Sequence, residues 1–486
     1  MEREDDRIDL AIDLALADGG DASPAEESAR HAESLDEEHN TLKPAFIRKV
    51  CDALDEGDRD AVYDLVEPLH PADIADLFEL IDAEERPRLA RAINDLMGGE
   101  VLAELNDHVR ESLIEQLDPD EVAELAEQME TDDAVALIED LDEEDKEAVL
   151  AELDPEDRAA IESALSYPEE TAGRLMSRDL IAVPEHLTVG NLIDYLRENQ
   201  DLATEFWEVF IVDHKHRPIG TCVLSWILRT PRDVALADVM KRDQTLIPVT
   251  MDQEEVALRF QKYALISAAV VDEDGRLVGQ ITVDDVVHII QEEAGEDALL
   301  LSGAGDGDIN EPLHLTVRTR LLWLLVNLPT AMLAASVVSL FDAEIARYAV
   351  LATLMGIVTG MGGNAGTQTL AVIVRAIATN QLTSSNTLRV LSREFRIAAT
   401  NGVSLGTLIG IGSFFIWHSV PLALVFAAAI FINNMVAGLA GVFVPVTLDR
   451  MNIDPATSSA VFVTMCTDCM GFLSFLGLAT LAGIGA

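Results

Sequence analysis

The sequence predicts a multidomain chain: an all-α superhelical N-terminal domain, an α/β tandem domain, and an all-α polytopic membrane domain with five transmembrane helices. Three observations predict it. A helical segment repeats at an offset of 36 residues, a strand–turn–strand–helix segment repeats at an offset of 59, and five apolar runs are each long enough to cross a bilayer.

Residues 1–40 are acidic and rich in Gly, Ala and Ser, with one short amphipathic stretch around Ile8–Leu16, and read as a disordered tail. Acidic residues stand where a secretory signal would carry basic ones, so export is not expected. Residues 41–166 have helical periodicity throughout. Pro71, Pro119 and Pro155 follow His70, Asp118 and Asp154, the arrangement of a first-turn proline after a capping residue. EVLAELNDHVRESLIEQLDP and ALIEDLDEEDKEAVLAELDP align so that Leu105 matches Leu141 and Leu117 matches Leu153, which predicts stacked helix pairs.

Residues 167–292 change period. VFIVDHKHRPIGTCVLSWIL and AAVVDEDGRLVGQITVDDVVHII pair Asp213 with Asp272 and Gly220 with Gly279. Residues 293–320 hold an acidic helix, a Gly-rich linker and a basic approach to the membrane domain at 321–486. Apolar runs at about 321–341, 346–374, 397–417, 420–446 and 456–485 supply the five spans. Arg318 and Arg320 precede the first span, Arg389, Arg393 and Arg396 follow the second, and Arg450 follows the fourth. The positive-inside rule then places the N-terminal half in the cytoplasm of a multi-pass inner (plasma) membrane protein, with the C-terminus outside.

Charge divides the chain in the same place. Residues 313–486 carry eight Arg and six acidic residues, whereas residues 1–312 carry 25 basic and 81 acidic ones, a balance of −56. Such a half disfavours nucleic acid, whose phosphates need a basic face. It suits divalent cations, or it keeps a domain soluble in a salt-rich setting; composition leaves both open. Four cysteines make no disulfide framework. The chain has no phosphate-binding Gly-Lys-Ser/Thr loop and no supported Ser-His-Asp arrangement, so it is not read as an enzyme.

Two features of the membrane half carry chemistry. GMGGNAGTQT at 360–369 removes side chains at Gly360, Gly362, Gly363 and Gly366, permitting either close backbone approach or a break that exposes carbonyl groups. Asn364 and Gln368, four residues apart, share a face and offer amide oxygens. The last span holds one ionisable residue, Asp468, with about 18 residues beyond it, near mid-membrane, and such a residue is a functional-site candidate by default. Asp454 lies about 21 Å earlier along the same helix, within about 40° of the same face. Cys466 and Cys469 flank Asp468, a pair that fits packing or a soft metal.

Residues 174–292 resemble a tandem pair of CBS modules. Those modules often hold an adenine nucleotide such as ATP, and they also serve as empty scaffolds; both readings stay open. Over nearly the whole chain, ETAGRLM at 170–176, DGRLVGQITVDDVV at 274–287, EEAGED at 292–297, GGNAGTQ at 362–368 and DPA at 454–456 followed by TDCMGF resemble the MgtE family of magnesium transporters or channels. The resemblance implies Mg²⁺ uptake by a homodimer whose pore is lined by the second and fifth spans. It implies a central carboxylate at Asp468, oxygen donors at Thr464 and Gly471, and pore positions at Asn364, Gln368, Gly362 and Gly363. It further implies Mg²⁺-sensing carboxylates at Asp285, Glu293, Glu296, Asp297 and Asp454, with Asp132 from the helical domain, that close the pore when bridged. The sequence departs from the family at Gly356, where a proline is usual, and at Ala136 and Ala264, where some relatives carry acids. Transport of Co²⁺, Ni²⁺ or Zn²⁺, and a membrane-anchored sensor without transport, are the alternatives.

Overall fold

The computed structural model describes residues 34–36, 41–199, 206–302, 309–383 and 385–484. Most of the expected acidic tail at 1–40 lies outside the described residues. The chain divides into two compact units, Met1–Val286 and Val287–Ala486.

The first unit opens with a short antiparallel pair, Leu35–Asp36 with Thr41–Leu42, and continues in short helices from Pro44–Glu56 to Pro155–Leu165. Caps restart them at short intervals. Asp58 accepts the Ala61 N–H, Asn106 accepts that of Val109, and Pro71, Pro119 and Pro155 each stand in a first turn. The helix Thr131–Glu139 packs on Pro155–Leu165, and Pro119–Ala126 packs on Glu143–Glu152. Each therefore stacks on the next helix but one, which is how a repeat that cannot bury its apolar face alone makes a continuous core. Leu105 and Leu153 are buried in that core and their repeat partners Leu141 and Leu117 pack against it. Asp142 illustrates the local contribution of a cap, since its Oδ1 accepts the N–H groups of Glu144 and Asp145 at 3.0 and 3.1 Å. Asp142→Ala is expected to destabilise the protein by about 1 kcal/mol, read as an earlier unfolding midpoint in denaturant.

Two three-stranded sheets follow. In the first, Ala182–Pro184 runs parallel to Glu208–Val212, which pairs antiparallel with Pro218–Val223; in the second, Leu246–Pro248, Ser267–Val271 and Leu277–Thr282 repeat the pattern. The 59-residue offset is kept in detail. Phe210 faces Thr221 as Ala269 faces Gln280, and the register shifts at Ile211/Val212 as it does at Val270/Val271. Phe210, Val212, Ala269 and Leu277 form one buried cluster, so strands of both modules share a core. The helix Val283–Leu300 carries the chain out of this unit.

The second unit contains five long helices: Leu313–Ser339, Val350–Ala378, Thr387–Trp417, Val420–Arg450 and Pro455–Leu481. Among the described residues, four helices are long and apolar enough to cross a membrane, where the sequence led us to expect five. The exception is Val350–Ala378, whose 29 residues are ample, but whose Gly, Asn, Thr and Gln at 360–369 lower its hydropathy. It runs as one unbroken α-helix, so the glycines open no break. The fourth helix is the centre of the unit. It packs on the second, third and fifth, and 56% of its most apolar window is buried, against 6% for the first helix.

Candidate functional site

The second and fifth spanning helices pack directly on one another and both lean on the fourth. Gly362 and Gly366 make that possible. A Cβ at Gly366 would come within 2.7 Å of Val463 Cγ1, and one at Gly362 within 2.6 Å of Asn433 Cγ, whereas Gly356, Gly360 and Gly363 face open space. The helix therefore has a packed face and a bare face, and Asn364 and Thr367 are exposed on the bare side.

On the fifth helix Val463, Thr467, Gly471 and Phe475 are buried at four-residue intervals, which leaves Thr464 exposed and Asp468 half-buried on the neighbouring face. Asp468 and Thr464 thus lie one turn apart beside the bare face of the second helix. The other expected path residues have neighbours of their own. Gly471 is buried against Asn433 and Thr359, and its carbonyl accepts the Ser474 hydroxyl at 3.2 Å. Gly363 and Thr464 likewise use their carbonyls to accept the Thr367 and Thr467 hydroxyls, both at 3.0 Å. Gln368 is exposed and lines a cavity of about 190 Å³ between the second, third and fourth helices, with Arg393, Glu394, Asn401 and Asn434. Cys466 and Cys469 are free thiols, both half-buried.

Asp454 caps the fifth helix. Its two carboxylate oxygens accept the Ala456 and Thr457 N–H groups at 2.9 Å, and Oδ2 also accepts the Thr457 hydroxyl. A carboxylate at a helix N-terminus is stabilised by the free N–H groups, so this residue has a structural task whatever ion it meets.

Sequence reasoning missed the adjacent amides Asn433 and Asn434, both buried in the fourth helix. Asn433 Nδ2 donates to Val358 O at 2.8 Å and Asn434 Nδ2 donates to Ile430 O at 2.9 Å; neither Oδ1 has a hydrogen-bond partner. The signal was available, since two consecutive amides interrupt an otherwise apolar span.

In the first unit a group of carboxylates gathers where the helical domain meets the second CBS-like module. Asp132 stands in the first turn of the helix Thr131–Glu139, and its Oδ1 is shielded from solvent with no hydrogen-bond partner. Asp285, in the first turn of Val283–Leu300, reaches back to the Thr282 hydroxyl at 2.5 Å and to its N–H at 3.3 Å. Asp179 Oδ2 accepts the Thr131 N–H and hydroxyl, both at 3.0 Å, tying the domains together. Burial, and next the charge of Asp285, push Glu130 up to about 7 and hold Asp132 well above the usual carboxylate range. The same two causes raise Asp133 to about 6, against the opposing pull of Arg110.

Glu130, Asp133, Asp179 and Asp284 were not foreseen here, because Thr131 and Asp179 are 48 residues apart and nothing local links them. Among the described residues no three acidic, histidine or cysteine side chains form a ready metal cage. A loose set with an orphaned, buried oxygen suits an ion that keeps its water. Glu293 is half-buried and Glu296 exposed further along Val283–Leu300, while the side chain of Asp297 lies outside the described residues.

Known proteins bear on these arrangements. Residues 355–478 match a family described as a divalent cation transporter, residues 69–170 match the MgtE intracellular N domain, and residues 236–292 match the CBS domain. The magnesium transporter MgtE of Thermus thermophilus is 30% identical over 438 residues, covering 88% of this chain and 97% of that protein. The magnesium transporter MgtE of Enterococcus faecalis is 31% identical over 317 residues, 65% of this chain and 70% of that protein. A crystal structure of the cytosolic domain of the Mg²⁺ channel MgtE in complex with ATP is 30% identical, with a TM-score of 0.46, over 50% of this chain and 99% of that one. The family matches fall in both units, the Thermus thermophilus relative covers most of the chain, and the chain belongs to the MgtE family of divalent cation transporters.

Proposed function

We propose that the chain takes up Mg²⁺ as a homodimer, through a path lined by the bare face of the second spanning helix and by the Asp468 face of the fifth. One observation carries this reading: the fifth helix holds a single carboxylate, half-buried at mid-helix, and packs on a helix whose Gly356, Gly360 and Gly363 meet open space. Mg²⁺ parts with water reluctantly, so a carboxylate from each of two copies would hold the hydrated ion by charge-assisted hydrogen bonds, with Thr464 and Asn364 adding neutral oxygens. The name of each curated relative cited above, magnesium transporter, supports the choice of ion. The first helix, with 6% of its apolar window buried, leaves surface for lipid or for the second copy.

The test is uptake into liposomes containing the purified full chain. Mg²⁺ is expected to enter down its gradient and to be displaced weakly by Co²⁺, Ni²⁺ or Zn²⁺. Preferential entry of those softer ions would move the emphasis to Cys466 and Cys469, and no flux at all would leave a membrane-anchored sensor.

The carboxylates around Asp132 and Asp285 supply the regulation. With no ion present they repel one another; a divalent ion between them favours the docked arrangement, and this closes the path when cytoplasmic Mg²⁺ is high. The arginine distribution supports a cytoplasmic first unit. The CBS pair is the place for an adenine nucleotide, by its resemblance to modules that hold one.

Proton linkage gives this regulation a sign. Glu130 and Asp133 are raised in the folded chain, so stability without Mg²⁺ is fullest below their ordinary range and is lost as pH rises through about 6 to about 7. Mg²⁺ must displace those protons. Apparent Mg²⁺ affinity, read from thermal stabilisation of the full chain, is expected to strengthen between about pH 6 and about pH 8 and to change little above that. A flat response across the window would remove this cluster from the sensor.

A further inference from the structure

We infer that Asn433 is the positioning residue that fixes the height of the two path-lining helices relative to one another; the inference rests on the path proposed above. Its side chain is fully buried on the fourth helix and meets two others, the second and the fifth. Nδ2 donates to Val358 O of the second helix at 2.8 Å, the amide lies over Gly362 one turn later, and the same Nδ2 is 2.8 Å from where a Cβ of Gly471 would stand on the fifth helix. Gly362 and Gly471 are thus two halves of one slot. The amide of Asn433 fills it.

The slot is close to the path in height. Along its helix, Gly362 is two residues, about 3 Å, from Asn364, and Gly471 is three residues, about 4.5 Å, from Asp468. Gly356, Gly360 and Gly363, on the other side of the second helix, meet open space and give it no close packing there. Packing between membrane helices is governed by shape and by hydrogen bonds, since lipid offers no hydrophobic drive, so one buried amide bonded across the interface has unusual leverage. Asn433 Oδ1 is left without a partner. A buried polar atom in that state costs stability, and an apolar residue would avoid the cost, but only the amide both fits between two glycines and bonds the Val358 carbonyl.

The tests use the full chain in liposomes, with gel filtration to establish that each variant is recovered as the same assembly. Asn433→Ala keeps the helices but empties the slot. It is expected to raise the Mg²⁺ concentration for half-maximal flux and to cut discrimination of Mg²⁺ over Ca²⁺, each by about tenfold, the scale of one lost buried hydrogen bond. Gly362→Ala is expected to lose flux at saturating Mg²⁺ by at least about tenfold because its methyl group would enter the amide, and Gly362→Ala with Asn433→Gly is expected to regain most of that saturating flux while keeping the raised half-saturation of Asn433→Ala. Unchanged half-saturation and discrimination in Asn433→Ala, or wild-type flux in Gly362→Ala, overturns the inference. So does failure of the double variant to exceed Gly362→Ala alone. If Gly362→Ala is recovered only as aggregate, the Asn433→Ala result decides. Wild-type flux in Asp468→Asn with rescue intact would refute the path and leave the slot as packing, so the two ideas fail separately.

Discussion

Asp468→Asn is expected to lower Mg²⁺ flux by about a hundredfold while the protein is recovered intact. Asparagine keeps the size of the side chain and the helix around it, and it removes only the charge. At an effective dielectric of about 20, a divalent ion some 5 Å from a carboxylate is stabilised by several kcal/mol, and a dimer would lose two such terms at one height. Part of that is offset because a neutral amide costs less to hold in the membrane, which is also why the variant should insert and assemble at least as well as wild type. Half of that free energy lost would still leave a tenfold defect. Flux within about twofold of wild type would place the ion path elsewhere. Asp468→Glu, which keeps the charge but lengthens its arm, should retain measurable flux with altered ion preference, and this separates charge from geometry.

How much of this was legible in the sequence differs between the two units for a physical reason. The spans, the CBS-like duplication and the stacked helices are periodic, and period is a local property: the 59-residue offset reappears in the strand register itself. Asp468 was legible because a lone charge in an apolar run has no cheap explanation. The carboxylate cluster was legible only at Asp132 and Asp285. Its other members, Glu130, Asp133, Asp179 and Asp284, read in the sequence like any other of the chain's 87 acids, and only folding brings Thr131 to Asp179. Packing was the least legible. Nothing in GMGGNAGTQT says which glycines are filled by a neighbour, and the answer, Gly362 and Gly366 but not Gly360 or Gly363, depends on Asn433 and Val463 arriving from other helices. Asp454 carried two readings at once, and its bonds to Ala456 and Thr457 show it capping a helix.

Asp132→Asn and Asp285→Asn should act on the sensor in two opposite ways, and the combination distinguishes an ion site from a solvated face. Asp132 has a shielded oxygen with no partner and is pushed well above the carboxylate range by burial and by Asp285. Neutralising it removes a cost, so without Mg²⁺ the variant should be more stable than wild type. The same change removes a ligand, so added Mg²⁺ should stabilise it less. For wild type with Mg²⁺ at about 100 times its dissociation constant, linkage gives about 2.7 kcal/mol, which is several degrees of melting temperature for a unit of this size. The variant's Mg²⁺-dependent shift is expected to fall below half of that, while its Mg²⁺-free melting temperature rises. In flux, both variants should need more cytoplasmic Mg²⁺ to close, and in Asp285→Asn the pH dependence set by Glu130 should flatten, because its strongest charged neighbour is Asp285. Asp285→Asn keeps less of the first gain, since Asp285 also accepts from Thr282 at the start of its helix. A pair of variants that lower the Mg²⁺-free stability and keep the full Mg²⁺ shift would make these carboxylates helix caps and solvated acids, and would leave closure to the acidic stretch beyond Asp285.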